Sequence, residues 1–227
     1  MTKSRGRTLG LDFPGTPGTD NAITDVAGVA VGYTTVIEGE GALQPGKGPV
    51  RTGVTAILPK GHNPEPHPVW AGAYALNGNG EMTGTHWIHD GGYLIGPVCI
   101  TNTHSVGIVH HAAVRWIIET YRETWGEEHL WAMPVVAETY DGVLNDINGQ
   151  HLTESHALDA MRSAKPGAVS EGNVGDFIDD CDAGDVVVID NHGRLDCTVW
   201  GNILCETGKL RGVGGAVIDG ICRDVDE

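Results

Sequence analysis

The sequence predicts a mixed α/β fold, and two observations lead to this prediction. Strand patterns and helical patterns of apolar residues alternate along residues 1–175. Residues 176–227 then give a strand, a helix and a second strand, which favours two parallel strands joined by a helical crossover. A chain of 227 residues can bury a sizeable core, in one large domain or two small ones.

The first part of the chain contains four predicted strands. Alternating small apolar residues predict a strand over residues 26–36. Short apolar runs predict strands over 53–59, ended by Pro59, and over 96–103. A fourth strand is predicted over 131–142, where it runs into a turn.

Two helices are predicted in the same part. Apolar residues recur at helical spacing over 105–125, and Ser105 is the candidate N-cap. A shorter helix is predicted over 153–164, with Thr153 as its candidate cap. The segment from 77 to 105 is unusual, because glycines, asparagines, hydroxyls and histidines stand beside the apolar run "IGPVCIT". This mixture indicates a place where backbone and polar side chains converge on something small.

A change in composition divides the chain. All 11 prolines lie between Pro14 and Pro166, and segment 163–185 is polar, acidic and glycine-bearing. We therefore expect one domain over 1–175 and a second segment over 176–227, with the boundary near Gly175. The second segment reads as a strand over 184–191, a helix over 200–212 and a strand over 214–224.

Charge and cysteine content narrow the choice of partners and compartment. The chain carries 14 Lys+Arg against 30 Asp+Glu, a formal charge of -16, which disfavours nucleic acid and anionic membranes because phosphates would be repelled. Neither a membrane-spanning apolar run nor the apolar part of a signal peptide is present in the sequence. The 5 cysteines lack the spacing of a zinc site or a disulfide framework, so we expect a reducing cytoplasm and no cofactor.

Several motifs in the first part resemble the DmpA/BapA aminopeptidase family. They run collinearly over about residues 20–175: "NAITDVAGVAVGYTT", "GPVRTGVTAILP", "NGNGEMTGTHWI", "GPVCITNTHSVGIV", "PVVAETYDGVLNDING" and "VSEGNVG". The resemblance implies an N-terminal-nucleophile-like hydrolase with an αββα sandwich, made as one precursor that cleaves itself by autoproteolysis. The serine freed at the new N-terminus would attack small peptides, amides or esters that bear a free amine.

The resemblance also implies roles for individual residues. Tyr140 matches the position that donates a phenol O–H toward the oxyanion, and Glu138 is the candidate carboxylate for the substrate amine. Trp131 matches an aromatic that lines the substrate pocket. Two further groups are expected beside the pocket: Asn145 and Asp146 as scaffolding, and a glycine-rich loop with Asn77, Asn79, Glu81, Thr83 and His86.

Plainer interpretations of these residues remain open on the sequence alone. Tyr140 and Trp131 would otherwise be ordinary core or rim aromatics, whereas an inward Glu138 would be costly unless paired. Four histidines of this part could suggest a metal, but no clean ligand spacing joins them: His86, His104, His110 and His111. We therefore expect no metal site here.

The family pattern stops after Gly175. No serine follows Ser170, so the nucleophile and its surrounding strands have no counterpart in residues 176–227. We expect the hydrolase chemistry to be incomplete in this chain, with little or no peptidase turnover. An incomplete sandwich would expose strand edges and apolar surface, which favours a homo-oligomer or a separate serine-bearing subunit.

The tail resembles part of a different family, the RraA-like proteins, which include the 4-hydroxy-4-methyl-2-oxoglutarate aldolases. The resemblance rests on "AGDVVVID", "WGNILCETGKLRGVGGAVIDG" and "RDVDE". It implies that Arg223 grips a keto-acid and that Asp224 helps to hold magnesium, although Asn202 stands where the aldolases carry an acid. A divalent-metal-dependent lyase and a non-catalytic fusion or truncated protein are the alternatives to the hydrolase.

Overall fold

The computed structural model of the protein describes residues 6–7, 9–126, 131–167, 181–198, 200 and 202–221. Contacts divide the chain into two compact units: one is Pro17–Val169, and the other comprises Met1–Thr16 with Ser170–Glu227. The elements of the described residues, in chain order, are β1 (Ala30–Glu38), β2 (Val50–Leu58), β3 (Val69–Trp70), α1 (Thr85–Gly91), β4 (Tyr93–Leu94), β5 (Val98–Asn102), α2 (Val106–Trp125), β6 (Val135–Thr139), α3 (Glu154–Arg162), β7 (Val186–Thr198), α4 (Asn202–Arg211) and β8 (Gly215–Ile221). Short 3-10 helices occupy Ile23–Asp25, Thr103–Ser105 and Ile147–Gly149.

The larger unit is built on a four-stranded sheet with the order β1-β2-β5-β6. β1 pairs antiparallel with β2, and β2 pairs antiparallel with β5. β5 and β6 are parallel, with Thr101 opposite Glu138 and Asn102 opposite Thr139. The carboxyl ends of β5 and β6 therefore meet at the same edge of the sheet, which brings the residues after each strand together.

Helices α2 and α3 cover one face of this sheet, and the core lies between them and the strands. Val54 on β2, Val109 on α2 and Met161 on α3 are fully buried in this core. The buried residues of α2 repeat at the predicted helical spacing: Val106, Val109, Ala112, Ala113, Trp116, Ile117 and Tyr121. On the other face of the sheet, Ile88 of α1, Leu94 of β4 and Val135 of β6 form a small second cluster.

Most predicted elements of this unit are present with shifted ends. Helix 105–125 is α2, helix 153–164 is α3, and the four predicted strands correspond to β1, β2, β5 and β6. Ser105 and Thr153 occupy the two N-cap positions, and at α3 the backbone N–H of Thr153 donates to Nδ1 of His156 at 3.2 Å. The sequence did not predict the short strands β3 and β4 or helix α1. The expectation that His86 belongs to a loop was wrong, because His86 lies within α1 between the left-handed glycines Gly84 and Gly92.

The tail unit contains the strand–helix–strand arrangement that the sequence predicts. β7 and β8 pair in parallel, from Val186 opposite Gly215 to Asp190 opposite Asp219, and α4 lies between them in the sequence. A backbone hydrogen bond of 2.8 Å from Gly184 N–H to Gly212 O joins the segment before β7 to the connection between α4 and β8. Within the part of the chain that the structure describes, no helix is both long and apolar enough to cross a bilayer.

Candidate active site

Two candidate functional side chains stand at the carboxyl end of β6. Glu138 lies in the strand and Tyr140 directly follows its last residue, so their α-carbons are no more than about 7 Å apart. Tyr140 is 50% exposed, and its ring lies across Gly142, where an added Cβ would meet the phenol oxygen at 2.7 Å. The phenol is therefore at the surface of the unit, where a reacting group could reach it.

Glu138 is half-buried and is held through both its backbone and its side chain. Its backbone N–H donates to the carbonyl oxygen of Glu81 at 3.0 Å. Its Oε2 accepts a short hydrogen bond from the hydroxyl of Thr103, which is the first residue of the 3-10 turn after β5. Because β5 and β6 are parallel neighbours, this turn reaches the carboxylate directly.

The glycine-rich loop of 77–84 packs along the free edge of β6. Thr83 makes most of this attachment: its N–H donates to Val136 O at 3.0 Å, and its hydroxyl accepts from Val136 N–H at 2.9 Å and donates to Pro134 O at 2.9 Å. Asn79 N–H donates to Asn77 Oδ1, and the carboxylate of Glu81 accepts from Met82 N–H. The loop thus covers a strand edge that would otherwise be open, and it brings Gly80 against Glu138.

A polar network lies beside this end of the sheet. Asn102 Nδ2 donates to the hydroxyl of Thr52 at 2.8 Å, and Asn145 Nδ2 donates to a carboxylate oxygen of Asp141 at 3.0 Å. Burial raises the pKa of Asp141, while hydrogen bonds from Thr52 and Asn145 act in the opposite direction. Among the described residues, no group hydrogen-bonds to the buried Oδ1 of Asn102.

Asn145 and Asp146 anchor the turn after β6 to the start of β2. Asn145 Oδ1 accepts from Arg51 N–H at 3.0 Å, and Asp146 N–H donates to Pro49 O at 2.9 Å. The carboxylate of Asp146, only 1% exposed, accepts from Gly48 N–H and lies 2.9 Å from His151 Nε2. The hydrogen bond with His151 lowers the pKa of Asp146. These bonds fix the turn after β6, and the role of Asn145 and Asp146 as scaffolding beside the substrate pocket stays a prediction.

Trp131 lies at the other end of β6 from Glu138 and Tyr140. It is 49% exposed and packs edge-on against Trp87 of α1, with ring centroids 4.7 Å apart. Trp87 in turn meets Tyr93 edge-on at 5.2 Å. The aromatic group Trp87–Tyr93–Trp131 is a feature that the sequence did not predict, and the pocket-lining role of Trp131 stays a prediction.

Three site residues were predicted in the tail. Arg223 and Asp224 lie outside the described residues, and Asn202 begins α4 without a described side chain. In the larger unit, the four histidines considered for a metal are spread over three elements: His86 is in α1, His104 in the turn after β5, and His110 and His111 in α2. Among the described residues, no three histidine, cysteine, aspartate or glutamate side chains are grouped so that they could hold a metal ion.

Comparison with known proteins gives two family matches on this chain. The model of peptidase family S58 matches residues 21–176, and the Aldolase/RraA model matches residues 153–227. The chain is also 43% identical over 54 residues to the protein DlpA of Legionella pneumophila subsp. pneumophila. This match covers 24% of this chain and 9% of DlpA.

Two of the similar proteins that match about three quarters of this chain are described as aminopeptidases. The beta-peptidyl aminopeptidase BapA of Sphingosinicella microcystinivorans is 57% identical to this chain over 171 residues. The match covers 75% of this chain and 42% of BapA. A similar solved structure is that of the L-aminopeptidase D-Ala-esterase/amidase from Ochrobactrum anthropi, which is described as a new variant of the Ntn hydrolase fold. The TM-score is 0.69 and the sequence identity is 56%. The match covers 74% of this chain and 46% of that chain. The chain thus spans less than half the length of these relatives. The matches confirm the resemblance in the sequence motifs, and the chain belongs to peptidase family S58.

Proposed function

We propose that the larger unit is the part of a DmpA/BapA-type aminopeptidase that binds the substrate amine and stabilises the oxyanion, and that a serine-bearing portion outside residues 21–176 completes it. The observation that carries this proposal is the placement of Glu138 and Tyr140 at one end of β6, inside the region that matches family S58. Small peptides, amides or esters with a free amine are the proposed substrates.

Glu138 is suited to hold the substrate ammonium. Its carboxylate is half-buried, and its position is fixed by Thr103 and by the backbone of Glu81. A carboxylate that is partly removed from water attracts an ammonium group more strongly than an exposed one does. It offers no comparable contact to an acylated amine, so it would select substrates with a free amino group.

Tyr140 is suited to donate to the developing oxyanion. Its phenol lies across Gly142 at the surface, and its α-carbon is no more than about 7 Å from that of Glu138, the residue that would hold the amine. A preorganised donor at the oxygen of a tetrahedral intermediate lowers the barrier to acyl transfer. The nucleophile has to come from elsewhere, because residues 171–227 contain no serine.

The serine-bearing portion would complete an αββα sandwich of which the four-stranded sheet is one layer. Helices α2 and α3 cover one face of that sheet, whereas Ile37 on β1 and Ile100 on β5 alternate toward the other face and are 66% and 36% exposed. Exposed isoleucines on an otherwise folded sheet favour burial against a second layer. The partner is therefore proposed to be a second sheet that carries the serine.

A binding experiment tests the role of Glu138 without requiring turnover. β-Alaninamide is titrated into the 15N-labelled protein, with N-acetyl-β-alaninamide as the matched ligand that lacks the ammonium group. We expect the free amine to shift amide resonances around Glu138 and Tyr140, and Glu138→Gln to weaken binding about tenfold. Equal binding of the two ligands, or unchanged binding by Glu138→Gln, would contradict the proposal.

A lyase is the second candidate function, and the match of residues 153–227 to the Aldolase/RraA model favours it. Arg223 would bind the keto-acid. The donor set is a poor fit for magnesium, since Asp224 offers one carboxylate and Asn202 offers only a neutral amide oxygen. Magnesium-dependent pyruvate release from a 4-hydroxy-2-oxo acid, lost in Arg223→Ala, would support this function; unchanged release in Arg223→Ala would remove it.

A further inference from the structure

Glu138 touches two residues that the sequence motifs did not single out. The hydroxyl of Thr103 donates to Oε2 of the carboxylate. On the other side, a Cβ built on Gly80 would lie 2.6 Å from Oε1, 3.5 Å from Cδ and 3.7 Å from Cγ of the same side chain. One carboxylate oxygen is thus bound by a hydroxyl, and the other lies against a residue that has no side chain.

We propose that Thr103 and Gly80 are positioning residues that make Glu138 a receptor for a primary ammonium group. Thr103 binds Oε2 and holds the carboxylate in one orientation, and Gly80 leaves the space beside Oε1 free for the ammonium. This inference rests on the proposed function, because it takes Glu138 as the group that binds the substrate amine.

The contribution of Thr103 follows from the chemistry of a carboxylate. A glutamate side chain has three rotatable bonds, and a hydrogen bond to one oxygen restricts them before a ligand arrives. The hydroxyl is a neutral donor, so it orients the carboxylate and leaves its negative charge in place. An arginine or a lysine at this position would neutralise that charge. In the parallel register of β5 and β6, Thr101 lies opposite Glu138, and the hydroxyl of Thr103, two residues further along the chain, reaches this carboxylate.

The contribution of Gly80 is steric. A methyl group at 2.6 Å from Oε1 is closer than any carbon–oxygen contact tolerates, so the carboxylate would have to move. The backbone of Glu138 cannot follow, because its N–H is bonded to Glu81 O at 3.0 Å. The side chain would therefore rotate, and the methyl group would occupy the space beside Oε1.

The test compares four variants with the wild type in the β-alaninamide titration. Thr103→Val removes the hydroxyl at constant shape, and Thr103→Ser restores it. Gly80→Ala adds the methyl group, and Gly78→Ala is its matched control, since a Cβ on Gly78 meets nothing within 4 Å in the same loop. We expect Thr103→Val and Gly80→Ala each to weaken binding roughly fivefold to tenfold, and Thr103→Ser and Gly78→Ala to bind within about twofold of the wild type.

The readout separates positioning from a general structural effect. Affinity for the amine is expected to fall in Thr103→Val without a change in melting temperature, and to return in Thr103→Ser. If Glu138→Gln weakens binding while Thr103→Val and Gly80→Ala do not, this inference is overturned and the proposed function stands. If the wild-type protein and Glu138→Gln bind alike, the proposed function and this inference both fail.

Discussion

The backbone at the end of α3 lies so close to Gly32 of β1 that a side chain has no room there, which makes this position a strong test of the packing. An added Cβ there would lie 2.2 Å from Ala160 O and 2.6 Å from Ala164 N, both backbone atoms at the end of α3. Ordinary contact begins near 3.4 Å, so α3 would have to retreat by roughly 1 Å. Two backbone hydrogen bonds of 3.0 Å between Val31 and Lys165 oppose that movement.

We expect Gly32→Ala to destabilise the larger unit by about 3 kcal/mol, since it combines overpacking with the loss of these hydrogen bonds. That corresponds to a fall in melting temperature of roughly 10 °C. The matched control is Gly107→Ala, an exposed position of α2 where an added Cβ meets nothing within 4 Å. Alanine is the better helix former, so the control should gain up to about 1 kcal/mol. Thermal unfolding followed by near-ultraviolet circular dichroism gives both values, and equal melting temperatures for the two variants would refute the packing of α3 on β1.

Three further predictions concern single side chains. The hydrogen bond with His151 lowers the pKa of Asp146, so the carboxylate stabilises the fold above about pH 4 and this stabilisation is lost as the pH falls through the lowered pKa. Urea unfolding should therefore show Asp146→Asn to be less stable than the wild type at pH 7, with a smaller difference at pH 3. The same difference at both pH values would contradict this. Burial raises the pKa of Cys99 to about 12, so its thiol should not react in the folded protein at pH 8. A thiol reagent should therefore label the native wild type and native Cys99→Ala equally. After unfolding, Cys99→Ala should show one reactive thiol fewer than the wild type. Thr83→Val should lower the free energy of unfolding by about 1–3 kcal/mol and speed amide hydrogen exchange at Val136, because the N–H of Val136 loses its acceptor. Thr83→Ser should preserve the stability and the slow exchange. Equal exchange rates in the two variants would argue against this attachment of the loop.

The elements that could be predicted are those whose apolar pattern is long enough to be read locally. Helix 105–125 agrees with α2 (Val106–Trp125), because seven buried residues repeat along one side of it. Strand 53–59 is found as Val50–Leu58. Its start was missed because Arg51 and Thr52 look polar in the sequence, although Thr52 is buried and hydrogen-bonded to Asn102.

Short elements held by tertiary contacts could not be predicted in this way. Helix α1 has seven residues with only Ile88 buried, so it carries no helical repeat. Strands β3 and β4 have two residues each and exist through their pairing with one another. Their sequences contain nothing that distinguishes them from the loops around them.

The residues of the candidate site also fall into two groups, those with a local sequence pattern and those brought in by tertiary contacts. Glu138 and Tyr140 could be named from their motif, because the motif is contiguous in the sequence. Thr103 and Gly80 could not, since their contacts with Glu138 depend on how β5 and the loop at 77–84 align with β6. The parallel register of β5 and β6 is a property of the folded sheet.

We propose that residues 21–176 hold the groups that bind the substrate amine and the oxyanion and lack the serine-bearing portion, and a mixing experiment is the decisive test. β-Alanine p-nitroanilide is incubated with the protein alone, and with the protein plus the separately expressed serine-bearing portion of a BapA relative. We predict no p-nitroaniline from the protein alone, release from the mixture, and loss of that release in Tyr140→Phe. Robust release by the protein alone that is abolished in Tyr140→Phe would contradict the claim that its chemistry is incomplete, and release from the mixture that Tyr140→Phe leaves unchanged would contradict the role of the phenol.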